Sequence, residues 1–131
     1  MPKHILVVND EAQVCAMLRH ALEREGCSVR EASDGDMGIR VLDQQAVDLV
    51  LLNIFMPTKG GIETLREMRG SFPKLQFIVI SGGGSRQNFT PLHAAETLGA
   101  YGTLAKPFSL QELSEMVKSA LGEAITPALS S

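Results

Sequence analysis

The stretch from Asp48 to Pro57 constrains the fold of this chain most strongly. It joins a run of Val and Leu to one polar residue, Asn53, and it ends at a proline, which cannot continue a central strand. A short apolar run of this kind, bounded by polar and turn residues, is typical of a strand buried on both faces of a parallel sheet. Asn53 is therefore expected at the carboxyl end of that strand, where open α/β sheets place their binding and catalytic groups.

The length and composition predict one globular domain. A chain of 131 residues buries roughly two thirds of its unfolded surface. The hydrophobic share of 44% and the charged share of 21% are ordinary for a globular protein. No apolar run approaches the roughly 18 residues of a membrane span, and the start Met-Pro-Lys-His lacks the apolar core of a signal peptide. We therefore expect a cytoplasmic protein that does not contact a membrane.

The charge pattern argues against nucleic acid as a direct ligand. The net charge is -3 and basic residues do not cluster, whereas binding to a phosphate backbone needs concentrated Lys and Arg. The cysteines and histidines show neither a disulfide framework nor metal-ligand spacing. We interpret all of them as structural or neutral residues: Cys15, Cys27, His4, His20 and His93.

Short apolar runs alternate with longer amphipathic segments from residue 4 to residue 121. Apolar runs between polar or turn residues predict strands, and apolar residues at three- and four-residue spacing predict helices. The predicted strands are residues 5–8, 28–32, 48–53, 77–80 and 102–105. The predicted helices are residues 12–25, a helix capped by Ser33 or Asp34 that carries Met37, Val41 and Leu42, then residues 62–70, 91–98 and 110–121, the last capped by Ser109.

Five strands that alternate with five helices predict a parallel sheet with right-handed crossovers and helices on both faces. For a chain of this size the flavodoxin-like strand order 2-1-3-4-5 is the natural expectation, with its switch point between the first and third strands. The loops that carry Asn9, Asp10 and Asn53 should then meet in one crevice. Residues 1–121 are expected to form the domain, and residues 122–131 a loose tail.

Polar residues follow four of the predicted strands. They are Asn9, Asp10 and Glu11 after the first strand, Asn53 at the end of the third, Ser81 after the fourth and Lys106 after the fifth. Each residue alone has an ordinary interpretation, because strand ends are generally polar. Together, carboxylates, a hydroxyl and a lysine at one edge of a sheet suit a divalent cation and a phosphoryl group.

Four segments give the chain a resemblance to a known family. They are Ile5-Leu6-Val7-Val8-Asn9-Asp10-Glu11, then Asp48 to Pro57 with Gly61, then Ile80-Ser81-Gly82, and finally Lys106-Pro107-Phe108. With these motifs in this spacing, residues 4–121 resemble the receiver domain of two-component response regulators. The resemblance implies that position 53 is where receivers carry an aspartate, which accepts a phosphoryl group from a histidine kinase.

The resemblance also implies roles for the surrounding positions. In receivers, acids at positions 9 and 10 and the backbone carbonyl at position 55 hold Mg²⁺. The hydroxyl at position 81 bonds the phosphate, and the lysine at position 106 pairs with it. This chain keeps Asp10, Phe55 with its carbonyl, Ser81 and Lys106.

Two positions depart from the receiver pattern, and both departures remove negative charge. Asn53 cannot form an acyl phosphate, because an amide offers no anionic oxygen as a nucleophile. Asn9 leaves Asp10 and Glu11 as the remaining acids, so we expect Mg²⁺ to bind weakly or not at all. Receivers also usually carry Tyr or Phe at the position of Thr103, whereas here the tyrosine is Tyr101.

These observations predict a protein-interaction module in phosphorelay signalling, not an enzyme. By the resemblance, residues 92–122 should contact a histidine kinase, a phosphotransfer protein or an output protein, with His93, Glu96, Gln111 and Lys118 exposed. The domain itself is expected to be a monomer or a weak dimer. One alternative is an ordinary phospho-accepting receiver in which Asn53, with or without Asn9, is an introduced substitution. A remote alternative is a small Mg-dependent phosphotransferase that uses Asp10 as its nucleophile.

The Gly-rich segment from Gly82 to Asn88 allows two interpretations. No Gly-Lys-Ser/Thr follows it, so a phosphate-binding P-loop is not expected. It is either a flexible connector or a partner-binding loop.

Overall fold

The computed structural model describes residues 3–53, 61–81, 101–105 and 108–122, and in these ranges the chain forms five strands and four helices. The strands are β1 His4–Val8, β2 Ser28–Ala32, β3 Leu49–Asn53, β4 Gln76–Ser81 and β5 Gly102–Ala105. The helices are α1 Ala12–Glu23, α2 Gly35–Gln44, α3 Gly61–Ser71 and α4 Leu110–Ala120. The predicted helix at 91–98, the Gly-rich segment and residues 123–131 of the predicted tail lie outside the described residues.

The strands form one parallel sheet in the order β2-β1-β3-β4-β5, which confirms the predicted topology. Val8 lies opposite Leu52, and Asn53 lies opposite Ile80. This register brings the carboxyl ends of β1 and β3 to the same edge of the sheet. Asn53, the last residue of β3, is thereby held next to the residues that follow β1, at the switch point.

Alternate residues of the strands build two apolar layers, one on each face of the sheet. Beneath α2 and α3 lie Leu6, Val8, Val50, Leu52, Phe77 and Val79, which pack with Val41, Leu42, Leu65 and Met68. Beneath α1 and α4 lie Ile5, Val7, Leu49, Leu51, Ile78 and Ile80, which pack with Leu18, Leu22, Leu113 and Val117. Each fully buried side chain of this size stabilises the fold by about 1.5–3 kcal/mol. The central strands are thus apolar on both faces, as their continuous apolar runs predict.

Two predicted helix caps are confirmed. Asp34, rather than Ser33, caps α2, and its Oδ1 accepts a hydrogen bond from the backbone N of Met37 at 2.8 Å. Ser109 and Glu112 form a capping box at α4. The Ser109 Oγ accepts from the backbone N of Glu112 at 3.0 Å, and the Glu112 carboxylate accepts from the backbone N of Ser109 at 2.8 Å. These caps fix where both helices begin.

Helix α1 ends at Glu23, two residues before its predicted end. Arg24 and Glu25 form a turn between the end of the helix and Gly26. The φ angle of Gly26 is 93°, a left-handed conformation that glycine adopts without steric cost. The backbone N of Cys27 then donates to the carbonyl of Leu22, which closes the turn.

The pair α2 and α3 packs closely because two glycines face the second helix. A Cβ atom at Gly38 would lie 3.1 Å from the Met68 Cε, and one at Gly35 would lie 2.1 Å from the Thr64 Oγ1. Thr64 is fully buried, and its hydroxyl has no hydrogen-bond partner among the residues described. A side chain at Gly35 would therefore clash with Thr64, and one at Gly38 would require Met68 and Val8 to shift. None of the helices in the described ranges has the length and apolar character needed to cross a membrane.

Candidate functional site

The loop after β1 holds Asn9 in a fixed orientation. Its backbone N donates to the carbonyl of Ala32 at 3.0 Å, and its side-chain Oδ1 accepts from the backbone N of Glu11 at 2.9 Å. The side chain is almost fully buried, with 1% of the residue exposed. Because its oxygen is already bonded to a backbone donor, the assignment of the amide oxygen and nitrogen follows from the geometry. Asn9 is therefore part of the loop's structure.

The amide nitrogen of Asn9 has no acceptor in the part of the chain that the structure describes. A buried donor without a partner costs about 1–3 kcal/mol. Such groups are rare in native structures and are found most often where function requires them. The sequence predicted Asn9 at this edge, but its burial and its unsatisfied Nδ2 depend on how the neighbouring elements pack.

Asn53 and Asp10 form the central contact of the site. The Nδ2 of Asn53 donates to the Oδ1 of Asp10 at 3.2 Å. Asn53 is 6% exposed, whereas Asp10 lies at the surface. An ionised carboxylate offers only acceptors, so the nitrogen of the amide must be the atom that faces it. The site therefore contains an attractive contact where two acids would repel each other.

The thiol of Cys15 contacts the backbone of the same loop. Its Sγ donates to the backbone carbonyl of Asn9 at 3.4 Å. Burial is the main reason that the pKa of this thiol is raised, and the negative charges of Glu31 and Asp10 add to the effect. A neutral thiol is a poor nucleophile, which agrees with the structural role that the sequence suggested.

The structure brings together part of the predicted site. The side chains of Asp10 and Asn53 meet at the ends of β1 and β3, and Asn9 directly follows β1 at the same edge. Ser81 ends β4, and its backbone pairs with Ala105 of β5 at the same edge. The carbonyl of Phe55 and the side chains of Ser81 and Lys106 lie outside the described residues, so their roles stay predictions.

Tyr101 lies immediately before β5 and does not belong to the strand. Its backbone N donates to the carbonyl of Phe77 at 2.7 Å, which continues the pairing between β4 and the last strand. Its ring is 42% exposed, and its hydroxyl bonds to the Oγ of Ser119 on α4. The ring is thus anchored at the surface, on the side of the sheet that α4 covers.

This architecture defines a flavodoxin-like α/β domain with a polar site at the switch point between β1 and β3. The family model described as the response regulator receiver domain matches residues 5–118. The chain therefore belongs to the family of response regulator receiver domains.

Two curated relatives illustrate the family. The alkaline phosphatase synthesis transcriptional regulatory protein PhoP of Bacillus subtilis (strain 168) is 35% identical over 121 residues, which cover 92% of this chain and 49% of the relative. The transcriptional regulatory protein CpxR of Escherichia coli (strain K12) is 33% identical over 117 residues, which cover 89% of this chain and 48% of the relative. The chain thus spans about half the length of these relatives.

Solved structures of receiver domains have the same fold. The receiver domain of NtrX from Brucella abortus aligns with a TM-score of 0.84 at 32% identity, covering 90% of this chain and 98% of that one. A receiver domain protein (CheY-like) from Methanospirillum hungatei JF-1 aligns with a TM-score of 0.86 at 26% identity, covering 94% of this chain and 96% of that one.

Proposed function

We propose that this receiver domain acts as a protein-interaction module in phosphorelay signalling and does not accept a phosphoryl group at residue 53. The observation that carries the proposal is the hydrogen bond from the Asn53 Nδ2 to the Asp10 Oδ1. A receiver needs a carboxylate nucleophile at this position, and an amide has no anionic oxygen to attack phosphorus. The fold is kept while the group that would carry the phosphoryl group is neutral.

Receiver domains in general bind Mg²⁺ at their phosphorylation site, and the donor set of this chain fits Mg²⁺ poorly. Mg²⁺ prefers charged oxygen ligands in octahedral geometry. Here Asn9 offers no charge and its Oδ1 is already bonded, while the Asp10 Oδ1 accepts a hydrogen from Asn53. A bound cation would have to displace that hydrogen bond. We therefore propose that Mg²⁺ binds weakly at this site.

The proposed partners are a histidine kinase, a phosphotransfer protein or an output protein, and the proposed contact surface is residues 92–122. Of this surface the structure describes residues 101–105 and 108–122. The relatives PhoP and CpxR are named as transcriptional regulatory proteins and are about twice as long as the matched region. The signal of such a domain reaches its output through contacts with other protein surfaces. As a separate domain, residues 1–121 are proposed to be monomeric or weakly dimeric.

Incubation with acetyl phosphate and Mg²⁺, followed by intact-mass measurement, tests this proposal. We expect no phosphoryl adduct on the unmodified chain, because residue 53 has no nucleophilic oxygen. The matched variant Asn53→Asp should gain one phosphoryl adduct. That adduct would show that acetyl phosphate can react with a carboxylate at position 53 of this fold. A stable single adduct on the unmodified chain that disappears in Asn53→Ala would refute the proposal.

A second candidate is an ordinary phospho-accepting receiver in which Asn53, with or without Asn9, is an introduced substitution. It is favoured by the close match in size and shape between Asn and Asp, which leaves β3 and its register intact. The codons of the source gene decide between the two, since asparagine codons at both positions would remove this candidate. A phosphotransferase that uses Asp10 is tested separately: failure to hydrolyse a generic phosphate ester with Mg²⁺ would remove it.

A further inference from the structure

The side chain of Asn53 presents its amide nitrogen to a carboxylate. Its Nδ2 donates to the Oδ1 of Asp10 at 3.2 Å, so an acid lies directly beside the nitrogen that hydrolysis of the amide would release. Asp10 is at the surface, where water reaches its carboxylate. Asn53 is 6% exposed and is the last residue of β3, at the carboxyl edge of the sheet. The contact therefore combines an amide held in place, an acid at its nitrogen and bulk water at the acid.

A carboxylate in this position can assist hydrolysis of the amide, first as a general base and then as a general acid. It takes a proton from a water molecule as the water oxygen bonds to the Cγ of Asn53. It returns that proton to Nδ2 as the bond between Cγ and Nδ2 breaks. The ammonia that leaves takes up the acidic proton of the new carboxyl group, so the products are aspartate at position 53 and ammonium. The carboxylate of Asp10 is regenerated, and the reaction consumes only water.

Asn9 is a second buried amide at the same edge, and it lacks this arrangement. Its Oδ1 accepts a hydrogen bond from the backbone N of Glu11 at 2.9 Å, and its Nδ2 has no acceptor within the described ranges. Both amides are buried. The contact between Nδ2 and a carboxylate is recorded for Asn53 and not for Asn9. The two amides should therefore hydrolyse at different rates, with Asn9 as the internal reference.

The backbone of β3 hinders the usual route by which asparagine loses its amide nitrogen. In that route the backbone nitrogen of the next residue attacks the side-chain Cγ and closes a five-membered ring. Asn53 belongs to an extended strand and pairs in register with Ile80 of β4, which restricts the backbone rotation that ring closure needs. The next residue, Ile54, is β-branched and crowds the attacking nitrogen. Rapid loss of the amide in the folded chain would therefore require assistance, and Asp10 is placed to give it.

We propose that Asn53 is a self-modification site, at which Asp10 assists hydrolysis of the amide and converts residue 53 into aspartate. The proposal rests on the proposed function, because it starts from a chain that cannot accept a phosphoryl group at residue 53. It adds that this state changes with time, since the product has the carboxylate nucleophile that the amide lacks. The folded chain thus carries a latent phosphoacceptor.

The test is incubation of the freshly purified full chain at neutral pH in water enriched in heavy oxygen, followed by peptide mapping with mass spectrometry. The peptide with residue 53 should acquire aspartate with a heavy oxygen in its side chain, whereas Asn9 should stay an amide. The rate should be about 100-fold higher than in the chain unfolded in guanidinium chloride, which is within the range of one general acid–base group. An equal or lower rate in the folded chain would refute the proposal. Isoaspartate at position 53, the mark of the ring-closing route, would also refute it.

Two matched variants test the role of Asp10. Asp10→Asn keeps an acceptor oxygen for the Asn53 Nδ2 but removes the base, so hydrolysis at residue 53 should slow to the rate of the unfolded chain. Asp43→Asn removes the same charge from an exposed position on α2 and should leave the rate unchanged. An unchanged rate in Asp10→Asn would overturn the proposal, and so would equal slowing in both variants, which would show an effect of net charge alone.

Acetyl phosphate with Mg²⁺ separates this proposal from the function on which it rests. The fresh chain should gain no phosphoryl adduct, and the incubated chain should gain one in the fraction that has aspartate at position 53. An adduct on chains whose amide is intact would refute the proposed function and leave the hydrolysis standing. An amide that persists would refute the hydrolysis and leave the proposed function standing. Aspartate that forms but gains no adduct would refute its role as a latent phosphoacceptor.

Discussion

The polar side chains at the two ends of the same sheet differ in their burial and in their hydrogen bonding. At the amino end, the backbone N of His4 donates to the Oδ2 of Asp48, and the backbone N of Asp48 donates to the carbonyl of His4, both at 2.8 Å. The side chain of Gln45 lies 3.1 Å from the Nδ1 of His4, and its Oε1 accepts from Arg30 at 2.6 Å. The polar groups here form a connected series of hydrogen bonds. This series closes the edge where β1 and β3 begin.

At the carboxyl end, polar groups are buried although not all of their hydrogen-bonding capacity is used. Asn9 has a buried donor without an acceptor among the described residues, and Asn53 is tied to an acid at the surface, Asp10. Native proteins keep unsatisfied or strained groups mainly where function needs them. The amino end thus has satisfied hydrogen bonds between partly or fully exposed groups, whereas the carboxyl end buries Asn9 and Asn53 and leaves one buried donor without an acceptor among the described residues.

Placing aspartate at both positions 9 and 53 should change the stability of the carboxyl end most strongly. In Asn9→Asp with Asn53→Asp, three carboxylates would meet at one edge, and we expect the free energy of unfolding without divalent cations to fall by about 2 kcal/mol. Millimolar Mg²⁺ should recover that loss and should leave the unmodified chain unchanged. Urea denaturation with EDTA and with Mg²⁺ measures both effects. An unmodified chain that Mg²⁺ stabilises as strongly as the variant would contradict the proposed weak binding of Mg²⁺.

Removing the central contact should have the next largest effect. Asn53→Ala deletes the hydrogen bond to Asp10 and leaves a gap at a buried position, so we expect a loss of about 1–2 kcal/mol in unfolding free energy. The measurement is urea denaturation at neutral pH. An unchanged midpoint would show that the contact contributes nothing to stability.

The corresponding change at the amino end should cost less. Gln45→Ala deletes the contacts with both His4 and Arg30, but these groups are partly or fully exposed, and we expect a loss of about 0.5 kcal/mol. The same denaturation assay serves as the test. A loss larger than that of Asn53→Ala would reverse the order of the two ends.

The smallest expected effect concerns the ion pair between α1 and α4. The pKa of Glu25 is lowered in the folded state, chiefly by the hydrogen bond from Lys118, so the pair stabilises the fold above the ordinary carboxyl pKa. That contribution is lost as the pH falls through the lowered pKa. Because both groups are exposed, Glu25→Gln should slightly reduce the pH dependence of stability in the acidic range. Denaturation curves at neutral and acidic pH compare the two proteins, and identical pH profiles would exclude the contribution.

Most of the fold could be predicted from the sequence because the strands are short apolar runs with clear polar boundaries. The predicted strand bounds agree with the structure to within one residue at each end. The end of α1 was wrong by two residues, since Gly26 ends a turn that follows the helix.

The site could be predicted in outline only. The sequence placed Asp10 and Asn53 in one crevice, because the strand order brings those loops together. It could not show which amide atom faces the acid, nor that Cys15 supports the loop, because both depend on side-chain packing. Lys118 is exposed as predicted. However, it pairs with Glu25, which is distant in sequence, and that contact arises only from the packing of two helices.

The position of Tyr101 gives the protein a natural optical probe. The chain has one tyrosine and no tryptophan, so its near-ultraviolet fluorescence comes from a single ring. That ring lines a groove between β5 and α4, and its hydroxyl is bonded to Ser119. The emission of the unlabelled protein therefore reports on one place, and an occupant that covers the ring or breaks its hydrogen bond changes the signal directly.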